Sequence, residues 1–97
     1  MEISDDLLQE FKDRMHITHD IEDENLKRIL SFSVVDLIAK CGPFDMSIHE
    51  KAKELVFERT RYAYNDALEF FDANFLSMIT SLGLTLGLEE IILDETF

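Results

Sequence analysis

The dipeptide Gly42-Pro43 divides this chain. Pro43 is its only proline, and Gly42 is one of three glycines in 97 residues. Proline lacks an amide donor and cannot continue a helix, while glycine takes the left-handed backbone of a helix C′ position at no steric cost. Lys40 in the preceding turn complements the negative end of the helix dipole. The rest of the chain has apolar residues at helical spacing and few breakers. The pattern predicts a small all-α bundle of about four helices, with "CGPFDM" as the clear loop.

Ser4 is a candidate N-cap for a first helix whose apolar stripe is Leu7, Leu8, Phe11 and Met15. A second helix, capped by Thr18 or Asp20, runs to Cys41 with Leu26, Ile29, Leu30, Val34, Leu37 and Ile38 on one face. Phe32 and Val35 widen that face, which predicts contact with two neighbours. Ser47 and Glu50 have capping-box spacing before a third helix that buries Ile48, Ala52, Leu55, Val56, Tyr62 and Ala63. Near Asn65 and Asp66 the chain either turns a corner or kinks, with Asp66-x-x-Glu69 as a further capping box. The stripe then resumes as Phe71, Phe75, Met78, Ile79 and Leu82.

Gly83 reads as the end of that helix. Beyond it, "SLGLTLGLEEIIL" places Leu82, Leu84, Leu86 and Leu88 on alternate residues, a strand period with no second strand to pair with. A helical turn across residues 89–93 is the alternative. The expected organisation is a bundle domain over 1–83 and a docking tail over 84–97. Leu84, Leu86, Leu88, Ile91 and Ile92 would carry the docking by adding a strand to another protein's sheet.

Acidic residues number 21 against 9 basic ones, a net charge of −12. After Arg61 come seven acids and no Lys or Arg. Such a field repels phosphate and argues against conventional nucleic-acid binding, though not against a surface that DNA slides past. One cysteine cannot make an intramolecular disulfide, and the acidic N-terminus has neither a basic n-region nor an apolar run, so a cytosolic protein without a membrane segment is expected.

Little here points to catalysis. His16 and His19 have i, i+3 spacing but no supporting ligand pattern, so capping or exposed histidines are expected and no metal or cofactor. Cys41 lies on an apolar face, where an inert buried thiol is expected. Three glycines cannot write a phosphate-binding loop. Tyr62 and Tyr64 stand about 200° apart on one helix, and Phe70 and Phe71 about 100° apart. A chain this small is expected to leave some of these rings for a subunit interface.

The segment "ERTRYAYNDALEFFDANFLSMITSLGL" resembles the C-terminal helical signature of phage head–tail connector proteins, the adaptors that attach beneath the portal. The matching residues are Arg59, Arg61, Tyr62, Tyr64, Asn65, Asp66, Ala67, Leu68, Phe71, Asn74, Phe75 and Leu82. The acidic "DIEDENLKRIL" start of the second helix fits the same plan, and the resemblance spans residues 4–84. It implies a homo-oligomeric ring, typically dodecameric, at the head–tail junction of a virion. Such a ring binds the portal protein, presents a surface to a head-completion or tail protein, and lets genomic DNA pass through. The interface residues it suggests are Arg59, Arg61, Tyr62, Tyr64, Asp66, Phe70 and Phe71, with the two arginines paired to Asp66, Asp72 or acids of the next subunit. A different reading of the charge is a small acidic module that inhibits a host nucleic-acid-binding protein by mimicry. An enzyme ranks third.

Overall fold

A computed structural model describes the backbone of residues 2–95 and the side chains of residues 2–91. Four α-helices follow one another: α1 (Asp5–Met15), α2 (Asp23–Cys41), α3 (Glu50–Tyr64) and α4 (Phe71–Glu95), with one 3₁₀ turn at Leu68–Phe70. Among the described residues there is no strand. The all-α bundle expected from the spacing is present. α2 is its centre, packed against α3 and α4, and the molecule is elongated at 48 × 28 × 18 Å.

The ends of the helices are set by local chemistry. Ser4 caps α1, its Oγ accepting from the Leu7 amide at 3.1 Å. α1 closes in a Schellman turn: His16 adopts φ 58°, its N–H bonds the Asp13 carbonyl, and the Ile17 N–H reaches back to Lys12. α3 ends in the same way at Asp66 (φ 57°), with Asp66 N–H to Ala63 and Ala67 N–H to Tyr62. Both left-handed positions are held by residues other than glycine. Gly42 takes φ 94° at the end of α2, where its N–H bonds Ile38 before Pro43.

Three of the expected caps are not formed. Glu22 occupies the N-cap of α2 without a side-chain bond, while Asp20 turns away to Lys12. The Ser47–Glu50 capping box is replaced by a turn in which Asp45 accepts from both the amide and the hydroxyl of Ser47, and His49 becomes the N-cap of α3. Asp66 closes α3 and does not cap α4.

Phe11, Leu26, Leu30, Leu37, Leu55, Val56 and Phe71 are fully buried at the centre. A polar seam joins α2 to α3. Thr60 Oγ1 lies 2.8 Å from the Val56 carbonyl and 3.0 Å from Ser33 Oγ. Its one proton serves the carbonyl, so it accepts from Ser33. Arg59 donates to Ser33 Oγ and to Asp36 beside them.

Phe11 and Leu8 anchor α1 in the core, and ion pairs add to that. Lys12 is 3% exposed and its Nζ sits between Asp20 at 2.7 Å and Asp23 at 2.8 Å. Arg14 meets Glu58, Lys27 meets Asp5, and Lys53 meets Glu10.

The segment after Gly83 differs from the expectation of an extended tail. α4 runs through Gly83 and Gly87 without interruption, so residues 84–95 continue the bundle's last helix. Two residues advance about 200° around a helix. Leu82 and Leu86 therefore face inward at 4% and 7% exposure, and Leu84 and Leu88 face outward at 67% and 60%. A helix apolar on both faces produces the same alternation as a strand. Burial of Leu82 and Leu86 offsets the roughly 1 kcal/mol that each interior glycine costs a helix. The backbone bonds of this segment are used within α4, which removes strand addition as its mode of docking.

Candidate assembly surface

α4 carries no charged residue between Asp72 and Glu89. Its inner face is secured by Phe71, Ile79, Leu82 and Leu86 and by a ring cluster at its start. Tyr62 meets Phe71 and Phe75 edge-on at 5.8 and 5.6 Å, and Phe71 stacks on Phe75 at 5.1 Å. Cys41 donates its thiol to the Ile79 carbonyl at 3.4 Å, and burial pushes its pKa up, as expected for an inert thiol. At the far end His49 Nε2 lies 2.9 Å from Glu89. The outer face presents Leu76, Leu84, Leu88 and Ile91, each more than half exposed. The stretch Leu68–Ile91 is long and apolar enough to cross a membrane by length and composition, with 22% of its most apolar 18 residues buried in the bundle.

The residues expected at a subunit interface separate into two groups. Phe71 is 1% exposed and belongs to the core, so it cannot line a surface. Arg59 is bound to Asp36, and Arg61 to Glu58, with its guanidinium 5.1 Å above the Tyr62 ring. Neither takes Asp66 or Asp72 as partner; Asp72 is held by Lys40. Tyr64 donates to Glu22 at 2.6 Å, a bond that raises its pKa and ties α3 to the start of α2. Phe70, at 57% exposure, and Asp66 remain on the surface. Of the docking residues, Leu84, Leu88 and Ile91 are exposed and Leu86 is core. The side chain of Ile92 lies outside the described residues.

A second apolar row was not expected to be exposed. Phe32 and Val35 on α2 stand at 61% and 55%, uncovered by any neighbour in the chain, and Ile48 is exposed at 71%. The widened face of α2 was expected to meet two neighbours; α2 does pack against α3 and α4, but Phe32 and Val35 face neither of them. Among the described residues, Arg28 and Lys51 are the Lys and Arg side chains that make no ion pair.

No three His, Cys, Asp or Glu side chains come together as a metal site among the described residues. His16 closes α1, and His19 lies 3.9 Å from Glu22. The depressions on the surface are open, and the arrangement of charged groups pairs cations with acids to hold helices together. What the surface offers is two uncovered apolar rows on a strongly acidic protein. No protein-family model, curated protein or solved structure matches this chain.

Proposed function

We propose that this protein is a non-enzymatic structural subunit of a phage head–tail connector. Copies form a ring beneath the portal, extend the DNA channel, and offer a surface to the next head-completion or tail protein. The observation that carries the reading is the uncharged outer face of α4, with Leu84 and Leu88 exposed on a helix whose other face is bound into the core. A monomer leaves such a row in water at a cost that a neighbour removes. The net charge of −12 suits a lumen through which DNA passes without sticking. Docking uses the side chains of an intact helix.

The test mixes the purified protein with heads that carry a portal, followed by sedimentation and negative-stain imaging. A collar on the portal is expected. The double variant Leu84→Asp with Leu88→Asp keeps the helical circular dichroism of the parent and loses the collar, because neither side chain supports the core. Truncation after Gly83 is a poorer test, since it removes Leu86 from the core. Displacement of DNA from host proteins by the monomer, without any collar, would favour charge mimicry and overturn this reading.

A further inference from the structure

We propose that the end of α4 is a proton-responsive clasp: protons taken up between about pH 8 and 5 tighten residues 84–91 onto the start of α3 and steady the helix that presents Leu84, Leu88 and Ile91. This stands apart from the ring reading, because it concerns the free subunit. The end of α4 is charged against its own dipole. Its last two turns hold Glu89, Glu90, Asp94 and Glu95, and its last turn has no basic residue. The carbonyl end of a helix carries about half a negative charge, so carboxylates there are unfavourable. Glu90 and Asp94 are in addition like charges at i, i+4. Gly83 and Gly87 lower the helix propensity of the same stretch, and within residues 84–91 Leu86 is the one buried side chain. The polar contact that helps Leu86 hold this stretch down is His49 to Glu89, at 2.9 Å.

His49 is placed to serve in both protonation states. Its Nε2 donates to the Glu89 carboxylate in either state. Its Nδ1 lies 3.0 Å from the Asp45 amide and 3.1 Å from the Asp45 carbonyl, so it accepts from the amide when bare and donates to the carbonyl when protonated. The ring has no need to turn. Histidine is the side chain that gains a proton between about pH 8 and 5. The proton converts the contact with Glu89 into an ion pair, and a charge-assisted bond is roughly twice as strong as a neutral one. It also adds a positive charge beside a stretch that holds four negative ones. The charged groups around the ring are Asp45 from the loop, Glu50 and Lys51 at the start of α3, and Glu89 from α4. The Asp45 carboxyl is drawn below its ordinary range by the Ser47 hydroxyl and amide, and to a smaller degree by His49. Lys51 and the positive end of α3 oppose a charge on the ring, and the three carboxylates favour it.

The experiment is amide hydrogen exchange of the full chain at about pH 8, 6.5 and 5, each corrected for the intrinsic rate at that pH. Protection over residues 84–91 is expected to rise by about threefold from the highest pH to the lowest, while protection over residues 26–37 of α2 does not rise. Protection over 84–91 that stays level or falls overturns the proposal. His49→Gln keeps a neutral donor within reach of Glu89 and should abolish the rise; a rise that survives in this variant overturns the assignment to His49. Asp94→Asn combined with Glu95→Gln removes charge from the helix end and leaves His49 in place. It should raise protection over 84–91 by about twofold at the highest pH, and unchanged or lower protection overturns the role of the end charges. A collar on portal-bearing heads without the pH response defeats the clasp alone, and the pH response without a collar defeats the connector reading alone.

Discussion

His49 and Glu89 stand 40 positions apart in the chain, yet His49 Nε2 lies 2.9 Å from the Glu89 carboxylate. His49 is the N-cap of α3; its Nδ1 lies 3.0 Å from the Asp45 amide and 3.1 Å from the Asp45 carbonyl, and its Nε2 donates to the Glu89 carboxylate, which can only accept. The pair fastens α4 beyond Gly87 to the beginning of α3. Beyond Leu82, Leu86 is the buried side chain that anchors α4 among the described residues, and this polar tie adds to it one turn further on. Glu89→Ala should leave the core intact and loosen the helix end. The expected result is amide exchange over residues 84–91 faster by up to about fivefold, the equivalent of about 1 kcal/mol for a partly exposed pair. Exchange unchanged there would show that the tie is idle.

Phe70 and Phe71 are adjacent and have opposite environments, at 57% and 1% exposure. Phe71→Ala empties a site enclosed by Tyr62 and Phe75, and should destabilise the fold by roughly 3–5 kcal/mol in denaturant titration. Phe70→Ala removes a ring that already faces water and should change stability by less than about 0.5 kcal/mol. Any effect of Phe70→Ala on assembly would then report a surface and not a fold.

These two residues show what could be read in advance. The apolar spacing identified the helices, and the stop at Gly42 and Pro43 placed the end of α2, because both depend on local backbone chemistry. The spacing also showed that Phe70 and Phe71 diverge. It put Phe71 on the stripe with Phe75, as the structure has it, but could not say that this stripe would meet Tyr62, since that depends on the corner at Asp66, a left-handed residue with no glycine to announce it. Leu82 to Leu88 were misread for a related reason. Their period of two holds equally for a strand and for a helix with two apolar faces, and only the packing of Leu86 against the bundle separates them. The seam of Ser33, Arg59 and Thr60 left no pattern, because its members come from two helices.

His16 and Asp66 each hold a left-handed backbone that costs an L-residue roughly 1–2 kcal/mol. The hydrogen bonds that close both turns run from the backbone, so a glycine keeps them. Glycine also gains freedom in the unfolded chain, which cancels part of the benefit. His16→Gly should therefore stabilise the protein by about 0.5–1 kcal/mol. Asp66→Gly should give less, because aspartate tolerates this region better. The two changes lie in separate turns and should add in thermal melts.

Acid should weaken the fold through carboxylates held by partners. The Lys12 ammonium keeps Asp20 below the ordinary carboxylate range, Lys27 does the same for Asp5, and the Ser47 hydroxyl and amide do so for Asp45. A depressed folded-state pKa contributes stability that is present above the unfolded value and lost as pH falls toward the folded one. Lys12 and Lys27 are raised by the same bonds, so their contribution is present below the ordinary lysine range and lost as pH rises through the folded values. Stability followed by denaturant midpoint should hold across neutral pH and fall below about pH 4. The Lys12→Met variant should show a shallower acid limb, since Asp20 then loses its partner. An unchanged limb would mean that this pair does not contribute to the acid sensitivity.

Gly87 separates the two conformations considered for the end of the chain. It lies inside α4, and a methyl group at its α-carbon would meet nothing within 4 Å. In a helix, alanine avoids the backbone entropy that glycine loses, with a gain of up to about 1 kcal/mol. Leu86 couples this turn to the core, so the gain reaches the global transition and is not confined to a fraying end. Gly87→Ala should raise the denaturant midpoint and slow amide exchange across residues 84–91. An extended segment would show no such response, because alanine has no advantage there over glycine in holding the bundle. Gly83→Ala offers a second reading, with its new methyl 3.7 Å from the Cys41 α-carbon, an ordinary van der Waals contact. If neither substitution stabilises the protein, the helix does not continue past Gly83 in solution, and the outward row of leucines on which assembly depends is not formed in the free subunit.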